Sequence, residues 1–373
     1  MGIVKFARHE WTPSPNGSDT VGPPSETIDL AVSLARVVLV NGLASIAGSH
    51  YGSFDSLRLE AQLLATALDN TQKNGRYALH RTRAFDCSSL HIKSFIITAA
   101  GLGLLTASLE SLIIQDKIKP LQIKHFDLMP ATTPRGPKGG NSRPDLLINL
   151  PDYREMVGEA KGRRNGSGQT TKEVRKFLKK LHEWASTSEY GSTSLALSWA
   201  SILEDKTFVN LYHTDPTKDV ELIPQEPLDQ YPYFEEARQE HPIRSPRAMD
   251  SLEFRHEWNI IANSLTAPTP IQFYEDPLFW SAPNPSPDDR YLADIPIRGA
   301  WSPLGAGGRS IFVGIFQQAP GGDALTRIRQ AYASSLEENA IDPLDIAAEG
   351  RLLFAVAQDR ELATWRALRQ RID

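Results

Sequence analysis

One cysteine, Cys87, stands in 373 residues. That excludes an intramolecular disulfide framework and any zinc cluster built on thiolates, and it points to a reducing compartment, the cytoplasm. A strong excess of one charge sign is missing too. Forty Lys and Arg face 45 Asp and Glu, a formal net charge of −5, so the whole chain is not a polycation that coats nucleic acid. Long apolar runs are absent. The longest without charge, Ser94 to Leu109, is diluted by Ser, Thr and Gly and falls short of the ~20 residues that span a bilayer, so no membrane partner is expected. The first residues, with Arg8, His9 and Glu10, lack the basic-then-apolar pattern of a signal peptide. None of the three His-Glu pairs has a second His four residues after the first, and neither a Gly-x-Ser-x-Gly elbow nor a Walker A loop is present.

What is present is a chain with 40% hydrophobic and 23% charged residues, globular and long enough for two or three domains. Charge is unevenly spread: residues 1–86 sum to 0, residues 87–220 to +4 and residues 221–373 to −9. No lysine follows Lys218, and 13 of the 26 prolines fall between Pro224 and Pro303. These shifts divide the chain into an N-terminal region (1–86), a middle core (87–220) and a Pro-rich, acidic C-terminal region (221–373).

In the first region, residues 11–24 read as a flexible lead-in, followed by helices over Thr27–Leu43 and Ser56–Leu68 from apolar residues at three- and four-residue spacing. Ser88 to Gln115 reads as a long helix. Gly101 and Gly103 within it each cost ~1 kcal/mol and mark a break or close packing. From residue 118 the periodicity shortens to strands: Leu121–Phe126, Leu146–Leu150, Glu155–Ala160, Leu195–Trp199 and Phe208–Tyr212. Thr171 to Ala185 intervenes as a helix with one apolar face, Val174, Phe177, Leu178, Leu181 and Trp184. The fold class expected is α/β (α+β), a mixed β-sheet flanked by helices. The last third shows an apolar strand, Ile311–Phe316, and a closing helix from about Ile346 to Arg369. Gly305 to Arg309 reads as a hairpin loop.

The chemistry gathers in Arg143-Pro144-Asp145, a short strand, a turn, and a second strand ending Glu159-Ala160-Lys161-Gly162. Adjacent strands joined by a tight turn bring Asp145 beside Glu159 and Lys161, which share one strand face. Two converging carboxylates repel unless a cation compensates them. Beside an ammonium they form a candidate site for Mg²⁺, with Mn²⁺ as substitute, and Lys161 is placed to orient a water or stabilise a phosphoryl transition state. The bland rival is an edge hairpin with a surface Glu159–Lys161 ion pair worth ~0–1 kcal/mol. Residues 154–180 hold nine basic and three acidic side chains, including Arg163, Arg164, Lys172, Arg175 and Lys176. Arg135 and Lys138 add charge upstream, which together suits a phosphodiester partner.

Pro144-Asp145, thirteen intervening residues, then Glu159-Ala160-Lys161 on an apolar strand resembles the signature of the PD-(D/E)xK restriction-endonuclease-like nuclease superfamily. The likeness spans roughly residues 95–215. It implies a restriction-endonuclease-like core in the middle region, with Asp145 and Glu159 as metal ligands, the Ala160 carbonyl as a third and Lys161 as the catalytic lysine. It further implies Glu110 as an additional acid on the first core helix and Gln169 as a catalytic residue near the following helix. The activity implied is that of a Mg²⁺-dependent nuclease, an endonuclease on double-stranded DNA of restriction or phage-defence type. A homo-oligomeric or protein partner would bind through the C-terminal region. The alternative is a catalytically silent nucleic-acid-binding or scaffold subunit that keeps the same fold.

Overall fold

The computed structural model describes residues 2–14, 19–45, 53–70, 77–115, 121–126, 143–150, 154–166, 171–188, 190–214, 291–304, 308–337 and 343–373. Gln169, Arg135, Lys138 and the boundary near residue 220 lie outside them.

Nine strands of the first two-thirds are β1 (Gly2–Thr12), β2 (Thr20–Val32), β3 (Leu68–Asp69), β4 (His80–Arg81), β5 (Gln122–His125), β6 (Leu146–Asn149), β7 (Glu155–Arg163), β8 (Ser194–Ile202) and β9 (Thr207–His213). Seven of these form one mixed sheet in the order β2-β1-β9-β8-β7-β6-β5. β5, β6 and β7 are a meander, β7 runs parallel to β8, and β9 runs parallel to β1. Helices α1 (Leu34–Ser45), α2 (Ser53–Ala67), α3 (Arg83–Cys87), α4 (Leu90–Gln115) and α5 (Lys172–Ser186) accompany them. Strand alternation sends the two sheet faces to different cores. Leu146, Ile148, Met156, Ala160, Ala196 and Ala200 pack with α1, α2 and α4, whereas Leu147, Val157, Leu195, Leu197 and Trp199 pack under α5.

The C-terminal segment forms a second sheet, β10 (Tyr291–Leu292), β11 (Ile295–Pro303), β12 (Ser310–Phe316), β13 (Leu344–Glu349) and β14 (Leu352–Ala357), in the order β10-β11-β12-β14-β13. Ile311, Val313, Leu352, Phe354 and Val356 join the same core as α1 and α2, so those helices are sandwiched between two sheets. The outer face, with Phe312, Phe316, Leu353 and Ala355, is covered by α6 (Gly322–Glu337) and α7 (Trp365–Ile372).

Three expectations are corrected. The lead-in of residues 11–24 belongs, in its described part, to the β1–β2 hairpin, where Pro23 and Pro24 sit on an edge strand, paired to β1 on one side and with no strand on its outer side. Residues 27–32 continue β2, and the helix begins only at Leu34, after the capping Ser33 whose Oγ accepts from Arg36 N at 2.9 Å. The closing helix from Ile346 is instead the β13–β14 hairpin, turning at Gly350 with φ of +56°, followed by a 3-10 turn at Arg360–Leu362 and an α-helix only over Trp365–Ile372. Of the remaining expected elements, α2, α5 and the strands at 121–126, 146–150, 155–160, 195–199, 208–212 and 311–316 lie where the periodicity places them. The Ser88–Gln115 helix is α4, unbroken from Leu90. By length and hydropathy Leu90–Leu112 could cross a bilayer, but 67% of it is buried inside the protein, as befits a core helix.

Polar groups tie the C-terminal sheet to the helical layer. Asp345 is fully buried and accepts from Ser33 Oγ at 2.7 Å and from the first α1 amides, Leu34 N at 2.6 Å and Ala35 N at 3.2 Å. A carboxylate there satisfies orphan donors and opposes the positive helix end. Asp345→Ala strands those donors and is expected to cost about 1–3 kcal/mol, read as a lowered denaturant midpoint. An unchanged midpoint would refute the cap. Arg36, buried, binds Glu110 at 2.7 Å and Glu349 at 2.5 Å, while Glu349 also accepts from Ile123 N at 3.2 Å and so covers the edge of β5.

Candidate functional site

β6 begins at Leu146, directly after Asp145, so β7, which continues to Arg163, runs on past the end of its neighbour. Asp145 N donates to Gly158 O at 3.1 Å, and the Asp145 carboxylate then takes the next free amide, Ala160 N, at 2.7 Å. The side chain thus replaces a missing strand. Because the N–H and C=O of one strand residue point to the same side, the Ala160 carbonyl turns toward that same vacated edge.

On the α5 face of β7, Glu159, Lys161 and Arg163 follow one another at two-residue steps. Lys161 Nζ lies 2.5 Å from Glu159 Oε1 and 4.0 Å from Asp145 Oδ2. The sequence reading placed these three together, and the structure does so. Phe177, from α5, puts its ring 5.1 Å from the same ammonium. Burial, then the neighbouring Asp145 charge, pushes the Glu159 carboxyl up to about 7, with Lys161 only partly opposing.

Among the described residues no three His, Cys, Asp or Glu side chains converge, so a metal here would rest on two carboxylates and a backbone carbonyl. That set fits Mg²⁺, since all three donors are hard oxygens.

Glu110 is not part of this set. Its carboxylate binds Arg36 and accepts from Tyr332 Oη at 3.0 Å. The reason is the pleat: α4 lies on the face of Gly158, Ala160 and Gly162, opposite Glu159 and Lys161.

The basic residues distribute around the site. Arg163 pairs with Glu173 and stacks 4.2 Å from the Trp199 ring. Arg164 is exposed, and its carbonyl accepts from Arg81 Nη1 at 2.6 Å. Lys172 and Lys176 are exposed on α5, and Arg175 reaches Asp19 O at 3.3 Å. Phe177 and Trp199, the plates beneath Lys161 and Arg163, went unassigned to the site in the sequence. Trp199 could be found only from the β7–β8 register, in which it pairs with Lys161.

A carboxyl raised in the folded state makes the folded chain bind more protons than the unfolded one. Stability should therefore fall as pH rises from ~4.3, the unfolded Glu value, to about 7, and level off above. Glu159→Gln is expected to remove that slope in thermal melts run in chelator, and Mg²⁺ or Mn²⁺ at pH 8 should raise the wild-type Tm more than the variant's. Parallel pH slopes would refute the assignment.

No protein-family model, curated protein or solved structure matches the chain.

Proposed function

We propose that the protein is a Mg²⁺-dependent nuclease acting on double-stranded DNA. The observation that carries this reading is the meeting of the Asp145 and Glu159 carboxylates on Lys161 Nζ at the open end of β6 and β7. The element order α4, β5–β6–β7, α5, β8, with β7 and β8 parallel, supports a restriction-endonuclease-like core.

Asp145, Glu159 and the Ala160 carbonyl would hold the metal, which when bound polarises a phosphodiester and acidifies a water. Asp145 is kept in place by the Ala160 amide. Lys161, resting on the Phe177 ring, donates to the oxygens that gain charge as water adds to phosphorus and the bond to the leaving sugar oxygen breaks. The exposed basic face of α5 neutralises flanking phosphates.

Supercoiled plasmid incubated with Mg²⁺ or Mn²⁺ should be nicked or linearised, and chelator should stop it. Failure to cut DNA or RNA of any form with either metal would sink the reading. A second reading, a nucleic-acid-binding subunit without turnover, draws on Lys161 already compensating the carboxylates. Bound DNA without bound Mn²⁺ would favour it.

A further inference from the structure

β7 presents Glu159, Lys161 and Arg163 on one face, and the step from Lys161 to Arg163 is two residues, ~6.6 Å. That is close to the spacing of consecutive phosphates along one nucleic-acid strand. Arg163 is the more elaborately held of the two cations. Its guanidinium lies 4.2 Å from the centre of the Trp199 ring, and Nη1 donates to Gly162 O at 3.1 Å. Trp199 is itself only 6% exposed and packs 6.1 Å from Phe177, so the platform is rigid. A guanidinium already held over an indole loses little further rotamer entropy when its N–H groups grip an oxyanion.

Those N–H groups are occupied from within the chain. Arg163 Nη2 binds the carboxylate of Glu173, in the first turn of α5, an exposed pair with 30% and 55% of the two side chains open to water. An exposed ion pair of this kind shifts an equilibrium by no more than about 5-fold, little enough for a phosphate to displace.

We propose that Arg163 takes the substrate phosphate next to the one at Lys161, and that Glu173 competes with that phosphate as an internal carboxylate stand-in. The proposal rests on the nuclease reading and states how its substrate is gripped. Glu173 makes the chain's own anion the first occupant, so every phosphate that reaches Arg163 does so at a few-fold cost in affinity.

The test is binding of a short fluorescent duplex DNA in chelator, by anisotropy across a salt series. Glu173→Gln is expected to tighten binding about 3- to 5-fold. Glu183→Gln removes the same charge from the far end of α5, where Glu183 faces Lys179 at 3.8 Å, and is expected to change it less than about 2-fold. Arg163→Ala should weaken binding about 10-fold, lower the salt slope by about 1 and abolish the gain from Glu173→Gln in the double variant. Arg163→Lys should not restore it, for want of the planar fork. Equal tightening by the two Glu variants would reduce the effect to net charge and overturn the proposal, as would a gain that survives Arg163→Ala. If these binding effects appear while the wild type cuts nothing with Mg²⁺, the grip stands and the nuclease reading falls; the reverse pattern sinks the grip alone.

Discussion

Asp145→Asn and Lys161→Ala are each expected to lower Mg²⁺-dependent DNA cleavage by about 10²–10³-fold or more, the loss seen when a preorganised group facing developing charge is removed. The two differ in what they do to the fold, and that difference makes the pair informative. Asp145→Asn keeps an oxygen that can accept from Ala160 N and removes the charge that helps push Glu159 up to about 7. It should therefore be inactive yet at least as stable as the wild type near neutral pH. Lys161→Ala takes away the only cation within 4.0 Å of both carboxylates among the described residues and opens space under Phe177. It should be inactive and less stable, with Glu159 held protonated to higher pH. Lys161→Arg should not rescue, because a fork cannot replace a compact ammonium packed between a carboxylate and a ring. Cleavage by both Asp145→Asn and Lys161→Ala at wild-type rates would overturn the catalytic reading whatever their stability.

The middle of the chain was legible because its elements obey one period each. Leu146, Ile148 and Leu147 report a strand buried on both faces, and Val174, Leu178, Leu181 and Trp184 draw one side of α5. The acids and the lysine of the site were legible for the same reason, since alternation alone puts Glu159 and Lys161 on one face. Two kinds of element escaped. β1 carries register shifts at Arg8/His9 and His9/Trp11, which break its period of two, and β2 holds two prolines that an edge strand tolerates. β13 and β14 are rich in alanine, Ala347, Ala348, Ala355 and Ala357, whose helical propensity misled where tertiary packing between two layers demanded small residues. Glu110 failed as a site residue because spacing in sequence does not say which face of a sheet a helix covers. Phe177 and Trp199 were hidden because an aromatic on an apolar stripe reads as core until the register sets it under a cation.

Gly103→Ala should be strongly destabilising, although helix propensity alone predicts a gain of ~1 kcal/mol in the interior of α4. A Cβ at this position would lie 2.1 Å from Val37 O and 2.7 Å from Val37 Cα, both backbone atoms of α1 that no rotamer change can move. The same holds two residues away, about half a turn round the helix, on the sheet side. A Cβ on Gly101 meets Gly162 N at 2.5 Å, and a Cβ on Gly162 meets Ile97 O at 1.8 Å. The three glycines thus let α4 lie at backbone contact with α1 on one side and with β7 on the other. Overpacking a rigid contact costs ~1–3 kcal/mol or more, which exceeds the propensity gain and fixes the sign. Equilibrium unfolding of Gly103→Ala would decide it, since a raised midpoint would contradict the packing of α1 on α4. Gly162→Ala carries a second consequence, because residue 162 follows Lys161 directly. Pushing β7 away from α4 moves the ammonium relative to Glu159 and Asp145, so this variant is expected to lose cleavage even at temperatures where circular dichroism shows it folded. Gly103→Ala, whose clash lies on the far side of α4, should retain more activity per folded molecule.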